Sequence, residues 1–311
     1  MAEKAILFDT SRCTGCHACQ IACKCWNVLP SPTRLNENTF SGTHQNPPDL
    51  NGATRLIMTY SEADGALPNK PVAWAFGRRS CQHCTDAPCA SICPSGTLYV
   101  HEESGMVTVD ASKCVACHYC VTACPFDVPR YNGMQGKVNK CTGCVDRIEQ
   151  GIAPACVSTC QPEALSFGDR DEMLAEAEKR LAMLKSRGYE HAVIYGAEEI
   201  GGLHVIQVFK YGVEAHGQVL DPKVSPITTL TNIMKPVTGV VAGATVIGLA
   251  VMFGLAAGYK RDKLAYNAET EDTISLETGE VIKHGDGQDT ESVKEHITCN
   301  LPIGKKGGDH E

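Results

Sequence analysis

Sixteen of the 18 cysteines in this 311-residue chain stand in four groups of four. Such runs supply the ligands of iron–sulfur clusters, since a 4Fe–4S cube takes one thiolate per iron. Groups I and III have the spacing C-x2-C-x2-C-x3-C, group II stretches one gap to four residues, and group IV opens one gap to eleven. The groups are Cys13, Cys16, Cys19 and Cys23 (I); Cys81, Cys84, Cys89 and Cys93 (II); Cys114, Cys117, Cys120 and Cys124 (III); and Cys141, Cys144, Cys156 and Cys160 (IV).

The spacing also predicts how the groups share their cysteines. In two-cluster ferredoxins three closely spaced cysteines hold one cube and the fourth ligates the other cube. Groups II and III are separated by only 20 residues, so they form one module, and groups I and IV pair around it as a second. The predicted ligand sets are Cys81, Cys84, Cys89 with Cys124; Cys114, Cys117, Cys120 with Cys93; Cys13, Cys16, Cys19 with Cys160; and Cys141, Cys144, Cys156 with Cys23.

Three other uses of cysteine explain the pattern less well. Disulfide-dense chains are usually short and secreted, whereas this chain is long and begins with no apolar signal core. Zinc takes two C-x2-C pairs, which leaves most third and fourth cysteines unexplained, although the wide gap of group IV keeps zinc open there. The haem-attachment pattern C-x-x-C-H occurs at 13–17 and 114–118, but both times inside a longer cluster run. We therefore expect four 4Fe–4S clusters and no haem, zinc or flavin.

Four residues near these patterns receive no ligand role. Cys25 follows group I by two residues and can pack as a small apolar group, and Cys299 lies far from every group. His17 and His118 complete the two haem-like patterns, and we interpret them as loop residues beside a cluster. No nucleophile–base pair or phosphate loop is visible, so we predict a non-catalytic subunit. The net charge of −8 and the scattered basic residues argue against nucleic-acid binding.

An apolar segment near the C-terminus predicts a membrane helix. Residues 236–259 carry no charge and would span about 36 Å as a helix, enough to cross a bilayer. Small residues that fall on one face predict docking against another membrane helix. These residues are Gly239, Gly243, Ala250, Gly254 and Gly258. Basic residues at 260, 261 and 263 favour a cytoplasmic C-terminus, with the cysteine groups on the outer side.

These patterns together predict an α+β fold, with two bacterial ferredoxin-like two-cluster modules, insertions, and one C-terminal transmembrane helix. Residues 25–80 read as an insertion that binds a partner subunit, and 169–235 as a helix and strands that lead to the membrane. The predicted parts are the outer module (1–24 and 137–168), the insertion (25–80), the inner module (81–136), the connecting segment (169–235), the transmembrane helix (236–259) and an acidic, disordered tail (260–311).

The order of the groups and three stretches of sequence resemble the iron–sulfur β subunit of membrane-bound respiratory formate dehydrogenases of the nitrate-inducible type. KCTGCVDRIEQGIAPACVSTC (140–160) looks like that family's fourth cysteine group, and ACPFDVPRYN (123–132) like the end of its third. The run SRGYEHAVIYGAEEIGGLHVIQVF (186–209), with the C-terminal span, separates it from the wider class of four-cluster subunits of molybdopterin oxidoreductases. One departure is Gln161, which stands between Cys160 and Pro162.

The resemblance implies an electron-transfer role. By this resemblance, the catalytic partner of the chain is a molybdenum or tungsten pterin subunit that oxidises formate. Electrons leave the chain through a membrane cytochrome b subunit that reduces quinone. The resemblance also implies export with the catalytic partner to the periplasmic side of the cytoplasmic membrane, and an assembly that can be a higher oligomer of the heterotrimer. Two alternatives stay open: the equivalent subunit of a membrane hydrogenase or of a polysulfide- or dimethyl-sulfoxide-type reductase, and a zinc-stabilised membrane interaction protein.

Overall fold

The computed structural model describes residues 3–30, 42–67, 70–133, 135–258 and 263–284. The chain divides into two compact units, Met1–Val237 and Thr238–Glu311, and all sixteen grouped cysteines belong to the first. The helices are α1 (Ala18–Trp26), α2 (Pro88–Ser91), α3 (Tyr119–Ala123), α4 (Val145–Ile148), α5 (Ala155–Ser158), α6 (Arg170–Ser186) and α7 (Pro226–Gly258). The strands are β1 (Lys4–Asp9), β2 (Leu56–Leu67), β3 (Lys70–Ser80), β4 (Leu98–Val100), β5 (Val107–Val109), β6 (Arg130–Asn132), β7 (Lys137–Asn139), β8 (Leu165–Asp169), β9 (Val193–Tyr195), β10 (Val205–Phe209), β11 (Leu264–Tyr266), β12 (Thr273–Ser275) and β13 (Val281–Lys283).

A four-stranded sheet with the order β8-β1-β10-β9 forms the centre of the first unit. β1 runs parallel to β10 and antiparallel to β8, while β9 runs antiparallel to β10. Both central strands are buried along nearly their whole length, including Gln207 of β10, because the sheet is covered on both faces. On one face Leu7 and Val208 pack against Ala177 and Leu184 of α6. The other face belongs to a core cluster that contains the cysteines of two groups.

The sequence predicts a helix over 169–188 that stops at Gly188. Helix α6 confirms this helix, but the hydrogen bonds of its first turn differ from the prediction. The sequence suggests a capping box with Asp169 as N-cap and Glu172 three residues later. Asp169 is the N-cap residue, yet its side chain makes no capping hydrogen bond and instead accepts one from the Lys4 ammonium. The expected stop holds, since Gly188 adopts the left-handed φ of +88° that favours glycine after a helix.

The described part of the insertion 25–80 contains a long antiparallel hairpin, β2–β3, that packs into the cysteine-containing core. Leu56 and Met58 of β2 are buried beside Cys23 and Cys156. Residues of β3 pair with β2 in a continuous register from Leu56 opposite Ser80 to Tyr60 opposite Phe76. The hairpin therefore packs directly against cysteines of groups I and IV. Partner binding by its outer side stays a prediction, and residues 31–41 lie outside the described part.

The second unit contains most of α7 and a small sheet. α7 is longer than the segment 236–259 expected from its composition, and an 18-residue window within its stretch Pro226–Ala257 has a mean hydropathy of 2.3, with none of that window buried. Such a helix is long and apolar enough to cross a membrane.

The expectation of a disordered tail over 260–311 is wrong for residues 263–284. They form the antiparallel sheet β11-β12-β13. Turns that the composition did not reveal make this possible: the Asn267 side chain accepts from the backbone N–H of Glu269, and Gly279 takes a φ of +74°. Residues 285–311, including Cys299, lie outside the described residues.

Candidate cluster-binding sites

Three cavities in the described structure are each lined by four cysteines from two separate parts of the sequence. Each measures roughly 320 to 380 Å³ out to its open mouth. The four cysteines are Cys13, Cys16, Cys19 and Cys160 in the first; Cys81, Cys84, Cys89 and Cys124 in the second; and Cys93, Cys114, Cys117 and Cys120 in the third. We name each set by its first member from the three closely spaced cysteines: the Cys13, Cys81 and Cys114 sets.

A fourth set, the Cys141 set, is buried next to them. Burial raises the pKa of the Cys23 thiol, and the thiols of Cys141, Cys156 and Cys144 raise it further, in that order. These four side chains therefore lie within electrostatic reach of one another although Cys23 comes from group I. The structure thus brings together the same four combinations of thiols that the spacing predicts. Their role as ligands stays a prediction.

The residues that received no ligand role have surroundings different from those of the grouped thiols. Cys25 is exposed and lies on an open surface depression beside Trp26 and Arg147. His17 places both ring nitrogens within hydrogen-bond distance of protein oxygens, 2.6 Å from Tyr60 Oη and 3.1 Å from Gln20 Oε1. His118 packs its ring against that of Tyr131, with the ring centroids 4.5 Å apart and the planes tilted by 37°.

The two haem-like patterns occupy equivalent positions in the two modules. His17 and His118 each immediately precede a helix and each adopt a left-handed backbone, with φ of 61° and 62°. Two residues earlier Gly15 and Ala116 are left-handed as well. Alternating left- and right-handed residues turn successive backbone N–H groups toward the same side, a geometry that binds anions. The loops are therefore shaped to surround a negatively charged group.

Backbone N–H groups donate to sulfurs of the cysteine groups. Gly15 N lies 3.5 Å from Cys13 Sγ, and Gly143 N lies 3.5 Å from Cys141 Sγ. The third donor, Val138 N, lies 3.5 Å from Cys114 Sγ. Donors of this kind stabilise the more negative, reduced state of an iron–sulfur cluster.

Burial keeps most of these thiols protonated in the metal-free chain. It raises the pKa of Cys13 to about 11 and that of Cys19 to about 12. At Cys93 burial acts in the same direction, but backbone N–H groups of Leu98, Ser95 and Thr97 and the Ser95 hydroxyl outweigh it and lower the pKa to about 7. Because iron binds the thiolate, metal binding to the raised thiols must release protons.

A buried arginine that the sequence reasoning missed lies among the thiols. Arg78 of β3 is 1% exposed, and its Nη2 lies 3.9 Å from Cys156 Sγ. Its Nε and Nη1 have no hydrogen-bond partner in the described structure. A guanidinium is always charged, so these orphaned donors require an anion beside them. The residues present therefore fit an anionic iron–sulfur cluster. The signal in the sequence was the basic pair that precedes Cys81, in GRRSC (77–81).

Two further buried side chains connect the Cys81 and Cys141 sets. Lys140 donates from Nζ to the carbonyl oxygens of Val107 (2.5 Å) and Cys141 (2.8 Å), and it also hydrogen-bonds to the Cys81 thiol. In the opposite direction His83, which lies between two cysteines of group II, places Nε2 3.4 Å from Cys141 Sγ. Each group therefore extends a nitrogen donor toward a cysteine of the other set.

No group of three or more His, Cys, Asp or Glu side chains in the described ranges is arranged to hold a single metal ion. The thiols of the Cys13, Cys81 and Cys114 sets surround a cavity instead, which suits a cluster of several atoms better than one ion.

Comparison with known proteins agrees with this chemistry. Residues 72–170 match the 4Fe-4S dicluster domain family. The chain is 39% identical over 252 residues to the formate dehydrogenase, nitrate-inducible, iron-sulfur subunit of Escherichia coli (strain K12), covering 80% of this chain and 83% of that protein. It is 38% identical over 245 residues to the formate dehydrogenase iron-sulfur subunit of Haemophilus influenzae, covering 78% and 77%.

A relative from a different kind of reductase also matches. The chain is 41% identical over 174 residues to the thiosulfate reductase electron transfer subunit PhsB of Salmonella typhi, covering 55% of this chain and 78% of that protein. The formate dehydrogenase subunits match over a longer part of the chain. From the thiol sets, the buried cations and these similarities, the chain belongs to the iron–sulfur, electron-transfer subunits of formate dehydrogenases.

Proposed function

We propose that the chain holds four 4Fe–4S clusters in a row and conducts electrons between a formate-oxidising catalytic subunit and a membrane cytochrome b subunit. The observation that carries the proposal is the presence of four separate sets of four thiols in one compact unit. A cluster in each set would supply reversible one-electron transfer. The chain contributes the thiolates, excludes water from them, and surrounds them with backbone N–H groups and buried cations.

Contacts between thiols of different sets support a linear order. Cys19 of the Cys13 set lies within electrostatic reach of Cys156, and Cys81 lies within reach of Cys141. At the next step Cys89 lies within reach of Cys120. The proposed order is therefore the Cys13, Cys141, Cys81 and Cys114 sets. The two terminal sets each have one exposed cysteine, Cys16 and Cys117, which suits ends that exchange electrons with partners.

The first turns of α7 support an assignment of the two ends. Within the first unit, Lys235 of α7 donates a hydrogen bond to the carbonyl oxygen of Ser91, two residues before Cys93. The helix that we propose to enter the membrane is therefore hydrogen-bonded to the end of α2, next to Cys93 of the Cys114 set. We assign this end to the membrane cytochrome b subunit and the Cys13 end to the molybdenum or tungsten pterin subunit.

Iron content and redox titration test the proposed function. The complex is purified anaerobically with its partners, this subunit is then separated from them under anaerobic conditions, and its non-haem iron and zinc are counted. We expect about 16 irons in this subunit, four EPR-active reduced clusters and reduction by formate. Four irons or fewer, or stoichiometric zinc without absorbance near 400 nm, would exclude the four-cluster function. Reduction by a partner other than a formate-oxidising subunit would support the reductase alternative that the match to PhsB raises.

The proposed membrane partner binds the small-residue face of α7. A Cβ added at Gly239, Gly243 or Gly254 would meet no atom within 4 Å, so this face is open to a second helix. We expect Gly243→Leu to weaken co-purification of the cytochrome b subunit while the iron content stays unchanged. The matched control is Gly248→Leu, on the opposite side of the same helix and equally open. Equal loss of the subunit in both variants would contradict docking through this face.

The sidedness is proposed from charge. Basic residues follow the apolar segment at 260, 261 and 263, whereas Lys223 and Lys235 stand upstream within a similar distance. We propose that the cysteine-containing unit lies on the periplasmic side of the cytoplasmic membrane and that the chain is exported with its catalytic partner. Protease treatment of right-side-out vesicles tests this: the first unit should be accessible from outside, and protection of it would reverse the topology.

A further inference from the structure

Arg78 stands between two of the four thiol sets. Nearest to its guanidinium is Cys156 of the Cys141 set, with Nη2 3.9 Å from Sγ. Arg78 pairs with Met58 across the β2–β3 hairpin, and Met58 Sδ lies 3.5 Å from Cys19 Sγ of the Cys13 set, which is within electrostatic reach of Arg78. Arg78 therefore faces both the Cys13 set and the Cys141 set, the two sets of the outer module.

The charge of Arg78 has no carboxylate partner among the described residues. No ion pair includes it, and two of its three guanidinium nitrogens make no hydrogen bond. A permanently charged guanidinium in this position is costly unless its surroundings carry negative charge.

Iron binds cysteine as the thiolate, and a cluster adds sulfides to the thiolates. In the cluster-containing protein the sulfurs around Cys156 and Cys19 therefore carry the negative charge that faces the guanidinium. The positive charge of Arg78 is thus compensated in the cluster-containing protein.

We infer that Arg78 is a positioning residue for electron transfer: its fixed positive charge raises the midpoint potentials of the clusters in both the Cys13 and Cys141 sets. This inference rests on the proposed function. A cation near a cluster stabilises the state that carries the additional electron, and low dielectric around a side chain that is 1% exposed strengthens the effect. Because the charge lies between both sets, it raises the two potentials together and keeps the step between them small.

The neighbouring Arg79 provides a matched control. Side chains alternate along a strand, so Arg79 points to the other face of the same hairpin. There it forms ion pairs with Asp49 (3.0 Å) and Asp127 (3.1 Å), and its side chain is 31% exposed. It carries the same charge one residue away, but carboxylates and solvent already compensate it.

The experiment compares Arg78→Gln, Arg78→Lys and Arg79→Gln in the complete, anaerobically purified complex. Each preparation is titrated with dithionite while the reduced clusters are followed by EPR, and iron is counted first. We expect Arg78→Gln to move two of the four midpoint potentials to more negative values and to leave the other two in place. Arg78→Lys should keep all four near the unsubstituted values, and Arg79→Gln should move none.

The outcomes separate the inference from the function on which it rests. An unsubstituted subunit with far fewer than about 16 irons refutes the proposed function, whatever Arg78 does. With the irons present, unchanged potentials in Arg78→Gln, or an equal shift of all four, overturn the inference. If Arg78→Gln loses iron, the lysine variant decides: retained iron supports a requirement for the charge, and equal loss shows that the shape of arginine alone is needed.

Discussion

At the scale of single residues, His83 has a fixed tautomer and therefore a defined direction of hydrogen bonding. Its Nδ1 accepts from the backbone N–H of Val107 at 3.0 Å, so the proton is on Nε2, which points at Cys141 Sγ. Burial lowers the pKa of His83 well below its ordinary value, and Lys140 adds to this. The ring is thus a neutral N–H donor to a sulfur of the neighbouring module.

We expect His83→Leu to lower the midpoint potential of the cluster in the Cys141 set, because a thiolate that loses an N–H donor holds an added electron less well. EPR-monitored redox titration measures the shift. The control is His118→Leu, since His118 also has a left-handed backbone but packs its ring against Tyr131. Equal shifts in both variants would show that the effect comes from the loop backbone and not from the donor.

At the scale of elements, the β2–β3 hairpin carries Arg78 and must dock closely on the rest of the first unit. Gly77 lies opposite Thr59 in the hairpin, and a Cβ at position 77 would lie 2.3 Å from the His216 carbonyl oxygen. His216 in turn donates from Nδ1 to the Phe76 carbonyl oxygen at 2.9 Å. Burial lowers the pKa of His216 to about 4, so the ring is neutral at physiological pH.

Gly77→Ala should therefore destabilise the first unit by about 1–3 kcal/mol, the usual cost of overpacking, because a backbone atom blocks the added methyl. The rate at which absorbance near 400 nm is lost in guanidinium chloride reports the change. Gly133→Ala serves as the control, since an added Cβ there meets no atom within 4 Å. Equal rates of loss in the two variants would mean that the hairpin docks less rigidly than the structure indicates.

At the scale of the whole molecule, the crossing of fourth cysteines ties distant parts of the chain together. Cys23 follows the Cys13 loop directly but lies among Cys141, Cys144 and Cys156. Cys160 makes the reverse crossing and lies beside Cys13 and Cys19. The outer module therefore closes only when the first 25 residues or so meet residues more than a hundred positions later.

Serine substitutions test this crossing. Cys23→Ser and Cys141→Ser should alter the same EPR signal, and Cys160→Ser should alter the signal that Cys13→Ser alters, since each pair is predicted to ligate one cluster. If Cys23→Ser instead matched Cys13→Ser, each group would hold its own cluster and the exchange would be refuted. Iron counts on the four variants, expected to fall by no more than one cluster each, guard against general misfolding.

The sequence by itself determined the number of thiol groups, the combinations in which they meet and the apolar segment, because ligand spacing and hydrophobic length are local properties of the chain. The tertiary structure decided what surrounds the thiols. Arg78, His83 and Lys140 stand close to cysteines in the sequence, but the sulfurs they contact belong to other groups, so only the packing of the modules shows which sulfur each one approaches. It also decided that 263–284 forms a sheet, because turn geometry and strand pairing outweigh an acidic composition that locally favours disorder.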